Sequence, residues 1–441
     1  MGDIKLEVKE FLKKYGMHAD GIDIESGCEA FIDEMAGGLE AEDSSLKMLC
    51  TYISPEGEIP VNDPVIVMDA GGTNFRVAVV TFDDQKKPVI EDFKLYPMPG
   101  TNGEISKEEF FITIVKYLEP VIHRSNNIGF CFSYPSEILP NKDGKLIRFS
   151  KEVKVRDMVG EEIGRHLLET LKKCGVDAEK KIVILNDSVA TLLGGKAAYP
   201  AREFDSYIGF ILGTGTNTCY IEENAKIPKA PSLSGKPGST IINIESGGYS
   251  KSPRGEIDVI LDSLTNDPGN QQFEKMISGA YQGSLITGVI RKAIFDGLLS
   301  KAFFNRFGKI DHLSSRDIDE FCFYPYSDAY LLSNCVNHDT PDCDKDRLVL
   351  HHLIDGVIDR AARLVAVNLA SIILKTGKGK NPCLPVCVTA EGTTFYKSKL
   401  LRGKLDYYVR AYLNDKFGIY CEFVKAENAT LIGTAIAGLL N

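Results

Sequence analysis

VIVMDAGGTNFRVAVVTF, residues 65–82, is a run of branched apolar residues, a turn of small residues and a second apolar run. Such a pattern predicts two buried strands joined as a β-hairpin, with Asp69 at its bend. The pattern returns about 140 residues later as YIGFILGTGTNTCYIEE, residues 207–223, again strand, glycine-containing turn and strand. That spacing is comparable to one domain, so the chain is expected to use one device twice.

Working outward, NIGFCFSYPS (127–136) and KIVILND (181–187) read as two further apolar strands. Between them GEEIGRHLLETLKKCG (160–175) has helical periodicity and ends on a glycine suited to a C-terminal cap. Strands alternating with helices imply a mixed α/β layer. Glycine, proline and serine crowd 231–255, which reads as irregular chain, whereas 271–304 and 346–376 read as helix. Near the N-terminus Ile4, Val8, Phe11 and Leu12 share one helical face, so 3–14 is expected to pack as an amphipathic surface helix. The terminal NATLIGTAIAGLLN (428–441) reads as a buried helix whose small residues suit close packing against another element.

With 441 residues, 44% of them hydrophobic and 25% charged, the chain can bury a substantial core in two or three compact units. A net charge of -10 opposes general affinity for nucleic acid or anionic membrane, so any phosphate must be held locally. No stretch approaches the roughly 20 apolar residues needed to span a bilayer. The first residues lack the apolar segment of a secretory signal, and a cytoplasmic location is expected. The 11 cysteines are scattered and odd in number, several in apolar surroundings like those of Cys131, Cys219 and Cys387, and read as reduced core thiols. Neither the Cys335, His338 and Cys343 group nor Cys383 with Cys387 has paired C-x-x-C spacing, so metal ligation is not expected there.

Chemistry concentrates in the two turns. In Asp69-Ala70-Gly71-Gly72-Thr73-Asn74, glycines allow backbone N–H groups to approach an anion closely. A carboxylate there would repel bare phosphate, and makes sense if magnesium, an oxygen-seeking ion that keeps several waters, stands between them. An ordinary Gly-Gly hairpin carries the same residues. The second turn, Gly213-Thr214-Gly215-Thr216-Asn217, shifts the balance toward nucleotide binding, because two such hairpins can clamp successive phosphates. The chain lacks G-x-x-x-x-G-K-[ST], and Gly213-x-Gly215 leads into a strand without a third glycine, so neither a Walker loop nor a dinucleotide fingerprint applies.

The order DAGGTNFR, FSYP, LNDSVAT, GTGTNTCYIE, NIES, NDPGNQQFEKMISGAYQG and AEGTTFY closely resembles the eukaryotic-type hexokinase family, from about Val65 to the C-terminus. The resemblance implies an α/β, two-lobed actin-like ATPase (ribonuclease H-like) fold with a hinged interdomain cleft. It implies ATP-dependent phosphorylation of a hexose, glucose first with mannose or fructose as further acceptors, at the 6-hydroxyl, the first step of glycolysis. By position Asp187 resembles the general base, with Lys151 and Arg76 as cations near the developing charge. Ser133, Ser150, Lys151, Asn186, Asp187, Asn217, Glu245 and Glu274 would hold the sugar. Asp69, Gly71, Gly72, Thr73, Asn74 and Arg76 would form the first phosphate segment. Gly213, Thr214, Gly215 and Thr216 would form the second, and Gly392, Thr393 and Thr394 the adenosine segment. Asp69 would hold Mg²⁺ through water. Taken alone, Asp187 reads equally well as a helix N-cap.

The family's E-W-G-A segment is Glu245-Ser246-Gly247-Gly248 here, its T-K-G-F segment is Ser150-Lys151-Glu152-Val153, and Glu391 stands where aspartate is usual. Lost aromatic bulk at Ser246 is expected to widen the sugar pocket. An N-acetylhexosamine kinase and a catalytically weak sugar sensor are the alternative readings; the repressor-like sugar kinases' cysteine-rich zinc motif is not found. The expected lobes are 61–186 plus 428–441 (small) and 1–60 plus 187–427 (large). The length matches one catalytic unit, so no second regulatory half is expected. The oligomeric state is not legible.

Overall fold

The structure, a computed structural model, describes residues 2–149, 153–176 and 179–441. After helices Gly2–Lys14 and Ile24–Glu40 and a two-residue strand β1 (Leu49–Cys50), residues 65–82 form the hairpin β2 (Val65–Ala70) and β3 (Asn74–Phe82). Asp69 is not at the bend, as expected, but inside β2, directly opposite Arg76 in the ladder. The turn itself is Gly71 to Thr73, closed by the Gly71 N–H donating to the Asn74 carbonyl at 3.0 Å.

Strand β4 (Pro88–Pro97) continues the antiparallel meander, while β5 (Asn127–Phe132) joins β2 from the other side in parallel. A small separate hairpin, β6 (Ser136–Ile138) and β7 (Gly144–Leu146), precedes β8 (Lys181–Leu185), which pairs in parallel with β5. The resulting order is β4-β3-β2-β5-β8. The second sheet repeats the plan. Strands β9 (Ser206–Leu212), β10 (Thr216–Glu223) and β11 (Ser239–Asn243) form an antiparallel meander, and β12 (Val386–Glu391) and β13 (Cys421–Val424) add in parallel beside β9. Its order, β11-β10-β9-β12-β13, matches the first strand for strand, with β1 antiparallel on the outer edge of β11. The stretch 231–255 is therefore not wholly irregular: the apolar residues of β11 interrupt it.

Strand β2 is apolar but for Asp69 because its two faces meet different cores. Ile66, Met68 and Ala70 pack with Phe110, Phe130 and Leu167 on one side. Val65 and Val67 pack with Val189, Leu192, Leu431 and Ile436 on the other. Each such buried aliphatic side chain contributes about 1.5–3 kcal/mol. The second core lies between the sheets and is built on two helices. Asp187–Ala198 packs on β9 and β12, Ala429–Leu440 packs on β5 and β2, and the two pack on each other. Small residues set that crossing: a Cβ on Gly433 would stand 1.7 Å from the Ala190 carbonyl oxygen, and one on Gly194 2.3 Å from that of Ala429.

The N-terminal helix buries Val8, Phe11 and Leu12 and packs on the long helix Cys343–Thr376. The helix expected over 160–175 begins at Ile163 and ends at Lys173, with Gly175 just beyond it in the left-handed region (φ 86°). His338 uses Nε2 on Asp346 Oδ2 (2.9 Å) and Nδ1 on Thr340 Oγ1 (2.8 Å), while the Cys343 thiol donates to the Val336 carbonyl (2.9 Å). Two sheets of identical order and sense, with a helix from each half between them, make the two-lobed actin-like ATPase fold.

Candidate active site

Both glycine hairpins and the loop after β8 open on one cleft of about 720 Å³. Gly72, Thr73, Ser133, Tyr134 and Pro135 wall it from the first sheet's side. Asn186, Asp187, Thr214, Gly215, Thr216, Asn217, Glu245, Glu274 and Tyr281 complete it. Segments far apart in sequence meet because most of them follow the end of a strand in one of the two sheets, while Glu274 and Tyr281 come from the helices Gln272–Ile277 and Gly279–Phe295.

Asn186, rather than Asp187, caps the interlobe helix: its Oδ1 accepts the Ser188 N–H at 2.9 Å. Asp187 occupies the first turn, where its Oδ1 also accepts the Ser188 N–H, at 2.8 Å. A carboxylate there is favoured by the helix dipole. Its side chain is thus fixed at the cleft wall by backbone on a helix buried along its length.

The first hairpin is held from below. Tyr134 donates its hydroxyl to the Gly71 carbonyl at 2.5 Å, and the Met98 N–H donates to the Thr73 carbonyl at 2.9 Å. Burial, with Asp69 nearby, pushes the Tyr134 hydroxyl far above the usual phenol range, so it remains a donor. Asp69 is 3% exposed and pairs through Oδ2 with Arg76 Nη1 at 2.6 Å.

The second hairpin has its carbonyls occupied. Gly213 O accepts the Gly279 N–H (2.8 Å) and the Thr394 hydroxyl (2.8 Å), and Thr214 O accepts the Ala280 N–H (3.1 Å). Acceptors that would repel a phosphate are thereby taken up by the adjoining helix. Gly392 lies against this hairpin, its Cα 3.4 Å from where a Cβ on Gly213 would be. Thr393 and Thr394 line a neighbouring pocket of about 520 Å³ with Ile277, Ile286 and Lys397.

On the remaining wall Asn217, Glu245 and Glu274 converge. Asn217 Nδ2 lies 3.1 Å from Glu245 Oε1, and Glu274 Oε2 accepts the Thr216 N–H at 2.9 Å. Burial raises the Glu245 carboxyl, opposed by donation from Asn243 and reinforced by Asp187. Burial likewise raises Glu274, opposed by the Thr216 N–H and reinforced by Glu245. These carboxylates gain from any hydroxyl donors that enter the cleft.

The structure thus gathers Gly72, Thr73, Ser133, Asn186, Asp187, Thr214 to Asn217, Glu245 and Glu274 at one cleft. It sets Asp69 with Arg76 and Gly71 in the first hairpin, begins β3 at Asn74, lays Gly392 against the second hairpin and puts Thr393 and Thr394 in the adjoining pocket. Ser150 and Lys151 lie outside the described residues. Ser246 does not line the cleft: it is fully buried, its hydroxyl 3.1 Å from Thr218 Oγ1, which in turn accepts Asn368 Nδ2 at 2.8 Å. The Ser246 side chain points into the core, so it offers the cleft no hydroxyl. Sequence reasoning passed over Tyr134, Tyr281 and Asn243, although FSYP and NIES contain the first and last.

A family model described as Hexokinase matches residues 207–440, and a second, also described as Hexokinase, matches residues 7–197. Hexokinase-5 of Oryza sativa subsp. japonica is 30% identical over 385 residues, covering 80% of this chain and 73% of its own. Hexokinase-7 of the same organism is 32% identical over 372 residues, 79% of this chain and 78% of its own. The solved hexokinase from Schistosoma mansoni complexed with glucose shares the fold with a TM-score of 0.77 over 99% of each chain, at 24% identity. Matched over both of its sheets by hexokinase models and over most of its length by hexokinases, the chain belongs to the hexokinase family of hexose-phosphorylating enzymes.

Proposed function

We propose that the chain transfers the γ-phosphoryl group of ATP to the 6-hydroxyl of a hexose, glucose foremost, with mannose or fructose as further acceptors, as the entry step of glycolysis in the cytoplasm. The observation that carries the reading is the placement of Asp187: a carboxylate fixed at a helix N-terminus, in a cleft walled by two glycine hairpins and by amide and carboxylate side chains. In this reading Asn186, Asn217, Glu245, Glu274 and Ser133 hold the sugar hydroxyls, with Ser150 and Lys151 completing that shell. Asp187 accepts the 6-hydroxyl proton as that oxygen attacks phosphorus, a step in which a positioned base supplies a factor of about 10² to 10⁴. The rest of the rate comes from alignment and charge neutralisation, as phosphoryl transfer demands.

Gly71 to Asn74 and Gly213 to Thr216 would cradle the phosphates, and Gly392 to Thr394 the adenosine, where an unsubstituted Cα lets the base approach backbone. Arg76 and Lys151 would supply positive charge. Asp69, with one oxygen already on Arg76, suits magnesium held through water rather than by direct protein ligation. Among the described residues no three His, Cys, Asp or Glu side chains group to cage an ion, which fits an ion that takes phosphate and water as its other ligands. When bound it would neutralise phosphate charge. We assign 61–186 plus 428–441 to a small lobe and 1–60 plus 187–427 to a large one, whose closure excludes water that would otherwise hydrolyse ATP. Among the described residues no helix is long and apolar enough to cross a membrane.

The test is sugar-dependent ADP formation with magnesium and ATP over a panel of hexoses and N-acetylhexosamines, for the native chain and Asp187→Ala. Turnover with glucose that falls by about 10² or more in the variant, with sugar binding kept, is expected. Preference for an N-acetylhexosamine would reassign the acceptor, and sugar binding with no turnover would make the chain a sensor.

A further inference from the structure

The amides around the cleft take their orientation from backbone. The Thr218 N–H donates to Asn217 Oδ1 at 2.7 Å, which turns the Asn217 NH₂ toward Asn243 Oδ1 (2.8 Å), Glu245 Oε1 (3.1 Å) and Asn186 Oδ1 (3.3 Å). Asn243 Oδ1 also accepts the Ser188 hydroxyl at 3.4 Å. With its oxygen so committed, Asn243 presents its NH₂ to Glu245 Oε1 at 2.8 Å. Asn217 has two N–H groups for three acceptors. Asn243 is therefore the steadier donor to the carboxylate.

Asn243 does not line the cleft. It is 5% exposed, at the end of β11, held between Leu49 and Cys219 in adjacent ladders. Glu245, two residues on, has left-handed backbone (φ 58°, ψ 48°), a conformation that a non-glycine residue keeps only when its surroundings impose it. Among the described residues no side chain donates to its Oε2, so both protein donors, Asn243 and Asn217, meet at Oε1.

We infer that Asn243 is a positioning residue for acceptor recognition: through one amide it fixes the face that Asn217 shows to the cleft and holds the Glu245 carboxyl in place by its Oε1. The inference rests on the reading of Asn217 and Glu245 as sugar ligands. Burial raises the Glu245 carboxyl, and donation from Asn243 is the largest opposing influence. Losing that donor while keeping the shape should therefore favour the protonated acid, which accepts sugar hydroxyls less well.

Asn243→Asp keeps the oxygen that serves Asn217 and Ser188 and replaces the donor by a second carboxylate oxygen. The expected result is a sugar KM raised about tenfold or more, with the ATP KM changed by less than about twofold. The acid limb of kcat/KM for sugar should move to higher pH, because the added charge favours protonation of Glu245. Asn243→Ser, which keeps a short donor, should fall between the two; if the aspartate variant does not fold by circular dichroism, the serine variant carries the comparison. A native sugar KM and acid limb in the folded variant would overturn the positioning role. Glu245→Gln separates the premise: if its sugar KM is native, the sugar-ligand reading has failed, whatever Asn243 does.

Discussion

Glu274 Oε2 accepts the Thr216 N–H at 2.9 Å and stands 2.5 Å from where a Cβ on Gly215 would be, so the carboxylate wall of the cleft is tied directly to the second glycine hairpin. Under the proposed reading those two features face different substrates. Gly215→Ala cannot be accommodated without moving the hairpin or Glu274. We expect KM for sugar and for ATP each to rise about tenfold or more, since misplacement by an ångström is enough to do so. Initial rates with both substrates varied will check this. A change in the ATP KM alone would show that the hairpin shifts and Glu274 does not report on it.

The buried carboxyls set a pH dependence whose sign follows from burial. Glu245 and Glu274 have folded pKa values above the ordinary 4.5. Between that value and the raised one the native state holds more protons than the unfolded chain, so stability falls as pH rises through the window. Glu245→Gln keeps an acceptor for Asn243 and Asn217 and carries no charge. It should raise the urea midpoint at pH 8 and leave it nearly unchanged at pH 4, while weakening sugar binding. Equal effects at both pH values would mean that ionisation of Glu245 costs the fold nothing.

Much of this architecture could be read from the chain because the decisive information is local. Each hairpin is contiguous, and its apolar strands and glycine turn sit within one short window, so 65–82 and 207–223 announce themselves as a repeat. Strand β11 escaped because five residues of strand lie in a stretch rich in glycine, proline and serine, and its pairing with β10 and β1 is non-local. At the site, the resemblance carried by motif order pointed to Asp187, Asn217 and Glu245, whose convergence only the sheets can bring about. The direction of Ser246 was not legible, since sequence adjacency to Glu245 says nothing of it: left-handed backbone at Glu245 sends the next side chain into the core. Asn243 went unnoticed for the same reason, as its role depends on which way three amides point.

Asp69 and Arg76 offer a double-mutant cycle. They are direct ladder partners, with the carboxylate 3% exposed and the guanidinium reaching it at 2.6 Å. Arg76→Met and Asp69→Asn should each destabilise, and together should cost less than the sum, with a coupling of about 1–2 kcal/mol by urea unfolding. The arginine variant should also raise the ATP KM if Arg76 faces phosphate. Additive losses would show that Arg76 is screened by solvent and that other contacts hold Asp69.

Two glycines in helices, one at the interlobe crossing and one away from it, give substitutions of the same kind with opposite signs. Gly433 sits where the helix Ala429–Leu440 crosses Asp187–Ala198, and a Cβ there would lie 1.7 Å from the Ala190 carbonyl oxygen, a backbone atom that cannot step aside. Gly433→Ala must separate the helices, at a cost of about 3 kcal/mol, the upper range for overpacking a core. Because Asp187 occupies the first turn of the displaced helix, kcat should fall as well, with the ATP KM less affected. Gly403, on the exposed face of the helix Leu401–Val409, has nothing within 4 Å of an added Cβ. There the same change removes only unfolded-state freedom and should stabilise by about 0.5–1 kcal/mol without touching kcat. Thermal and urea unfolding of the two variants beside the native chain measures both. If Gly433→Ala kept native stability and kcat, the close crossing would not be what holds Asp187 in place.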